Sequence, residues 1–238
     1  SDNYMTYNNI AMMQRKLSRS EESIPNFIKS INLNTTSDLS TRAIAYINLG
    51  MAYLDLNQYD SALNAFDKAI NANPNHIEAK LKKATCLLTL GDFKQGWKLN
   101  EAKLEQPFYN GGNLRVIPDW NNTAEENNSP LLVIHDQGVG DVIMYASIIP
   151  DLVKNHKGKI IVTCEERMHE IFKRSFHGVT VSQLNGAKVT NKFKKIYLSS
   201  LPKFFRNSES DFNQRTPYII PDPDLKNHFI DKYKDLNG

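Results

Sequence analysis

The residues best suited to chemistry are Gln137-Gly-Val-Gly-Asp141, a turn with two glycines and a carboxylate that follows the apolar run Leu131 to His135. Small residues let backbone amides come close to a ligand, and a turn leaving a strand for a helix is where open parallel sheets bind. Known phosphate loops are not reproduced. The third glycine of the dinucleotide fingerprint is replaced by Ile143, and no Gly-Lys-Ser/Thr follows to make a P-loop. The same residues also fit a plainer role, a tight turn that packs a helix close to its strand with Asp141 as the N-cap.

The surrounding pattern is alternating strand and helix. Leu131 to His135 reads as a buried strand, Val142 to Asn155 as an apolar helix, Lys159 to Cys164 as a strand and Glu166 to Ser175 as a helix. Val179 to Leu184 and Lys195 to Leu198 read as further strands, with Tyr218 to Ile220 as a last one. Strands separated by helices of this length predict a parallel sheet of crossover units. Residues 107–130, dense in Gly, Pro and Asn, read as a linker, with Val116, Ile117 and Trp120 as its anchors.

Before the linker the period is different. Tyr46, Leu49, Gly50, Tyr53, Ala62, Phe66, Ala69 and Pro74 fit the tetratricopeptide pattern, a helix pair repeating about every 34 residues. Gly50 and Ala62 lack bulk where the helices cross, and Pro74 ends the second helix. A weaker copy lies upstream in Tyr7, Ile10, Ala11, Ser23, Phe27 and Ser30, its offset implying extra residues over 35–39. Downstream, Ala79 to Leu90 and a divergent helix from Gly96-Trp97 to about Leu104 make a third pair. Residues 1–106 therefore read as three helix pairs and residues 131–238 as an α/β lobe. Asn48, Asn73, Lys80 and Lys83 are candidates for a concave partner-binding face.

The string from Leu131 to Pro150 resembles a bacterial family in which tetratricopeptide repeats precede a glycosyltransferase-like domain. The resemblance extends to Gly96-Trp97 with Glu101, to Trp120, Glu165, Ser199-Ser-Leu-Pro202 and Pro217-Tyr218, and so covers nearly all of the chain. Asp136 stands where that family has Glu, Ser147 where it has Arg, and Lys103 replaces an Arg. The resemblance implies helical repeats followed by a Rossmann-like parallel-sheet lobe, half of a GT-B fold of the O-GlcNAc transferase and heptosyltransferase type. It makes Asp141 the candidate catalytic base for an acceptor hydroxyl. Gln137, Gly138, Val139, Gly140, Glu165, Ser199 and Ser200 become ligand-binding candidates. The nucleotide-sugar lobe is expected to be missing, leaving the chain inactive by itself.

Composition narrows the alternatives. With 40% hydrophobic and 23% charged residues the chain can form a core but not a membrane bundle. No apolar run approaches the roughly 20 residues of a bilayer span and no signal peptide opens the sequence, so a cytoplasmic protein is expected. Cys86 and Cys164 lie far apart, which argues for buried thiols and against a zinc motif or disulfide framework. From Lys154 to Arg206, twelve basic residues face three acidic ones, a surplus suited to a phosphate or an acidic partner. Without arginine-aromatic interleaving, nucleic acid is not the expected ligand. No cofactor or metal is called for. Three functions remain: a partial glycosyltransferase with a protein or glycan acceptor, a non-enzymatic tetratricopeptide interaction module on a degenerate scaffold, and a small-ligand or nucleotide-dependent enzyme.

Overall fold

The computed structural model describes residues 3–34, 39–109, 112–186, 190, 192–212 and 217–234. The chain divides into two compact units, one formed by residues 1–111 with 206–210 and the other by 112–205 with 211–238.

The first unit consists of three antiparallel helix pairs: α1 (Tyr4–Lys16) with α2 (Ser20–Leu33), α3 (Leu39–Asp55) with α4 (Tyr59–Ala72), and α5 (Ile77–Thr89) with α6 (Phe93–Asn100). The expected small residues sit at the crossings. A Cβ on Gly50 would lie 2.5 Å from the Phe66 ring, and one on Gly96 would lie 2.7 Å from the Leu88 side chain, so both helix pairs depend on glycine for their close approach. Phe27 and Phe66 are fully buried in separate clusters, each completed by alanines of adjoining helices. Between α3 and α4 the chain turns through Asn57, whose positive φ of 56° suits an asparagine. The last pair diverges as expected. Its second helix stops at Asn100 and tightens into a 3-10 segment, Glu101–Glu105. The longer inter-repeat loop expected over 35–39 falls outside the described residues except for Leu39, which opens α3.

The second unit is built on β1 (Leu131–Ile134), β2 (Ile160–Thr163), β3 (Val179–Ser182) and β4 (Lys194–Tyr197), all parallel, in the order β3-β2-β1-β4. The order reverses direction between β1 and β4, which makes the carboxyl ends of those two strands the switch point of the sheet. β1 and β2 are buried along their whole length, as their unbroken apolar runs require. The helix expected over 142–155 is two: α7 (Val139–Ala146) and α8 (Ile149–Asn155). Pro150 explains the break, since it has no N–H to give and its ring collides with the carbonyl four residues earlier. α9 (His169–Ser175) and the short α10 (Pro202–Phe205) cover the sheet, and α11 (Pro223–Lys232) ends the described chain.

Two expectations for this unit are corrected. Tyr218 to Ile220 pairs with no strand among the described residues. The Ile220 N–H donates to Ser175 Oγ (2.9 Å), its carbonyl accepts from Arg174 Nε (3.1 Å), and the Tyr218 hydroxyl donates to the Ile143 carbonyl (3.1 Å), so the segment is pinned to helices instead. Val116 is no anchor, being 81% exposed, whereas Ile117 and Trp120 are buried. The Trp120 N–H donates to the Lys195 carbonyl (2.7 Å) and the Lys195 N–H to the Pro118 carbonyl (2.9 Å), which lays the linker along the outer edge of β4.

Candidate functional site

The site is assembled at the switch point by segments leaving three strands. β1 ends in an apolar run and releases His135, Asp136 and Gln137 into the turn before α7. β4 releases Ser199 and Ser200 in a 3-10 turn, Leu198–Ser200, and β2 releases Glu165. The Asp136 carboxylate joins two of these segments. It accepts from the Ser199 backbone N–H (3.2 Å) and from the Ser199 hydroxyl, and Gln137 Nε2 donates to it at 3.4 Å. The Thr163 hydroxyl at the end of β2 lies against His135, 3.0 Å from its N–H and 2.9 Å from its Nδ1. Glu165 is ion-paired with Arg167 at 2.8 Å. Ser200 is buried, and its hydroxyl has no hydrogen-bond partner among the described residues.

The helix start differs from the expected one. α7 begins at Val139, so its N-cap is Gly138, without a side-chain cap, and the first intrahelical bond runs from the Val142 N–H to the Gly138 carbonyl (2.9 Å). Asp141 is therefore in the first turn, exposed, and not the N-cap. Close packing of helix on strand does not explain the glycines either, because a Cβ on Gly138 or Gly140 would meet nothing within 4 Å among the described residues. The space above both glycines is open.

Burial is what most perturbs the titratable groups of the site. Burial pushes the Tyr145 phenol up to about 12, with Asp141 and Asp136 adding to the effect, and it raises Tyr197 too, helped by Asp119 and Asp136. The His135 imidazole is pushed below its ordinary value by burial, which outweighs the opposing pull of Glu165 and Asp136. Carboxylates act on each of these groups, but burial is the larger cause of every shift. Part of the basic surplus is neutralised: Lys195 by Asp119 (2.7 Å), Lys194 by Glu126 (3.3 Å) and Arg174 by Asp222 (3.6 Å). Both cysteines are buried free thiols, with Cys164 pushed up to about 11 by its burial and by Glu165.

The structure therefore brings Gln137 and Ser199 to Asp136, with Ser200 next along the β4 turn and Asp141 in the first turn of α7. His135, Thr163 and Tyr145 are not among the residues that the sequence points to, and Asp136 stands out there only as a departure from the family's Glu. Two polar residues directly after a buried apolar run were the available signal for His135 and Asp136.

On the repeats, Asn48 Nδ2 donates to Asn8 Oδ1 (3.2 Å) and joins α3 to α1. Asn73 ends α4, where its side chain accepts from the Asn75 N–H (3.1 Å). Lys80 pairs with Glu105 (3.0 Å) and Lys83 with Asp67 (2.5 Å), so each of these four candidates already has a contact within the repeats.

Residues 2–75 match the tetratricopeptide repeat family model, and the chain carries tetratricopeptide repeats. It is similar to protein FlbA of Caulobacter vibrioides, 23% identical over 157 residues, a match that covers 59% of this chain and 26% of that protein. The chain thus spans about a quarter of FlbA. Among solved structures, the second tetratricopeptide domain of Spaghetti (RPAP3), bound to an HSP90 peptide, is 19% identical with a TM-score of 0.40, covering 43% of this chain and 91% of that one. MamA from Desulfovibrio magneticus RS-1 is 24% identical with a TM-score of 0.40, covering 44% and 56%. No described helix is long and apolar enough to cross a membrane.

Proposed function

We propose that the repeats bind a protein or peptide partner and that the sheet unit is the acceptor-side, Rossmann-like half of a glycosyltransferase-type protein. The observation that carries the second part is the Asp136–Ser199 tie at the switch point, beside open space over Gly138 and Gly140 and an exposed Asp141. The Asp136 and Asp141 carboxylates beside this space suit a neutral, hydroxyl-rich acceptor better than a phosphate. In this reading the acceptor hydroxyl loses its proton to Asp141 as its oxygen attacks the anomeric carbon of a nucleotide-sugar, the bond from that carbon to the diphosphate oxygen breaks, and the nucleoside diphosphate leaves with the electron pair, while the amides at the start of α7 hold the acceptor.

Saturation-transfer NMR with simple hexoses and calorimetry with uridine and guanosine diphosphate sugars test the proposal. Weak hexose contacts that vanish in Asp141→Ala support it, whereas micromolar binding of a nucleotide-sugar defeats the acceptor-side assignment. The neutralised basic surplus and the paired Glu165 also fit a second reading, a non-enzymatic interaction module on a degenerate scaffold. Hexose binding that is absent altogether, with partner binding retained, selects it.

A further inference from the structure

A crevice of about 530 Å³ opens between α2 and α4, with α3 as its floor. It lies between the second helices of two neighbouring repeats, away from Asn48, Asn73, Lys80 and Lys83, and its volume is that of an ordinary ligand site. Ile31 and Leu49 supply an apolar base. Along one wall Asp60, Asn64 and Lys68 recur every four residues and so form a single row on α4.

The row carries opposite charges at its two ends. Eight residues of helix separate Asp60 from Lys68 by about 12 Å. All three side chains are exposed, and among the described residues no hydrogen bond or ion pair engages Asp60 or Asn64. The described contact of Lys68 is with the face of Tyr46, 6.0 Å from the ring centre. Twelve ångströms is too short for a docked helix of several turns but is spanned by about four residues of extended chain at roughly 3.3 Å each. The primary amide of Asn64, midway along the row, offers both a donor and an acceptor to a peptide backbone.

We infer that this crevice binds an extended peptide in which a basic and an acidic residue stand three or four positions apart around an aliphatic side chain. The basic residue meets Asp60, the aliphatic one meets Ile31 and Leu49, and the acidic one meets Lys68. The inference rests on the proposal that the repeats are a peptide-binding module, and it assigns them a site on the second-helix side.

The test is selection of a displayed library of random ten-residue peptides on the whole chain and on single variants. The wild-type chain should enrich one basic and one acidic residue at the stated spacing. Lys68→Glu should change the enriched pattern to two basic residues, and Asp60→Lys should change it to two acidic ones. Because each variant gains a new preference, loss of folding cannot imitate the result. Enriched peptides that are the same for all three proteins but are lost in Asn48→Ala or Lys80→Ala overturn the crevice and leave the peptide-binding proposal standing. Failure of the wild-type chain to enrich any peptide overturns both.

Discussion

Asp136, at the end of β1, holds Ser199, at the end of β4, through two hydrogen bonds to a single carboxylate, one from the backbone N–H at 3.2 Å and one from the hydroxyl. The bond crosses the point where the strand order reverses, and there it fixes the distance between the two loops that frame the site. Asp136→Ala leaves a partly buried N–H and a buried hydroxyl without their acceptor, a loss of about 1–3 kcal/mol. Asp136→Asn keeps one acceptor oxygen and should cost less. Urea denaturation of the two variants checks the order, and an unchanged midpoint for Asp136→Ala would show that the tie is not structural.

Trp120 should be the costliest single truncation in the linker. It is 1% exposed, meets Phe204 edge-on at 5.3 Å and His156 at 5.8 Å, and its backbone closes the edge of β4. Trp120→Ala should lose about 3–5 kcal/mol. Val116→Ala, four residues earlier and almost fully exposed, should stay within about 0.5 kcal/mol of wild type. Equal effects at the two positions would contradict the packing described.

Acid should weaken the sheet unit through its buried histidines. His156 is buried and bonds through Nε2 to the Ser129 carbonyl (2.9 Å), with no partner for Nδ1 among the described residues, and burial holds its pKa below the ordinary value although that carbonyl pulls the other way. His135 is depressed too, again by burial. Above about pH 6.5 both imidazoles are neutral in the folded and unfolded chain, and their contribution is fully present. As the pH falls below that value the unfolded chain binds protons first, so stability declines until the folded pKa values are passed. Denaturation midpoints should therefore fall between pH 7 and pH 5, with a shallower slope in His156→Gln. A pH-independent midpoint over that range would refute the burial argument.

The repeats were legible because their packing is local. Gly50, Ala62 and Phe66 are small or bulky at positions dictated by a single helix crossing, and each crossing recurs. The strands were legible for a similar reason, since a central parallel strand is buried on both faces and reads as one apolar run. What escaped depended on tertiary partners. Tyr218 to Ile220 has the composition of a strand, but its polar groups are taken by Ser175, Arg174 and Ile143. Asp136 looked like a departure from a familiar string, and its role appears only when β4 brings Ser199 alongside. The charge count could not show its own neutralisation, because counting Lys195 says nothing of the Asp119 carboxylate 2.7 Å from its ammonium.

Two glycines make opposite predictions that separate packing from ligand access. Gly50 faces the Phe66 ring at a helix crossing, where a methyl group would come within 2.5 Å of buried aromatic atoms. Gly50→Ala must push the helices apart or the ring out of place, at a cost of about 1–3 kcal/mol. Gly140 lies within the first turn of α7, outside the positive-φ residues, and a methyl group there meets nothing within 4 Å. Gly140→Ala should raise stability by about 0.4–1 kcal/mol, because alanine loses less backbone entropy on entering a helix. The same methyl projects into the open space over the turn, so any hexose contact detected by saturation transfer should weaken while the protein becomes more stable. Thermal melts and binding measured on one preparation decide the matter. A Gly140→Ala protein that is less stable would mean the turn is packed after all, and one that binds hexose as before would move the acceptor away from α7.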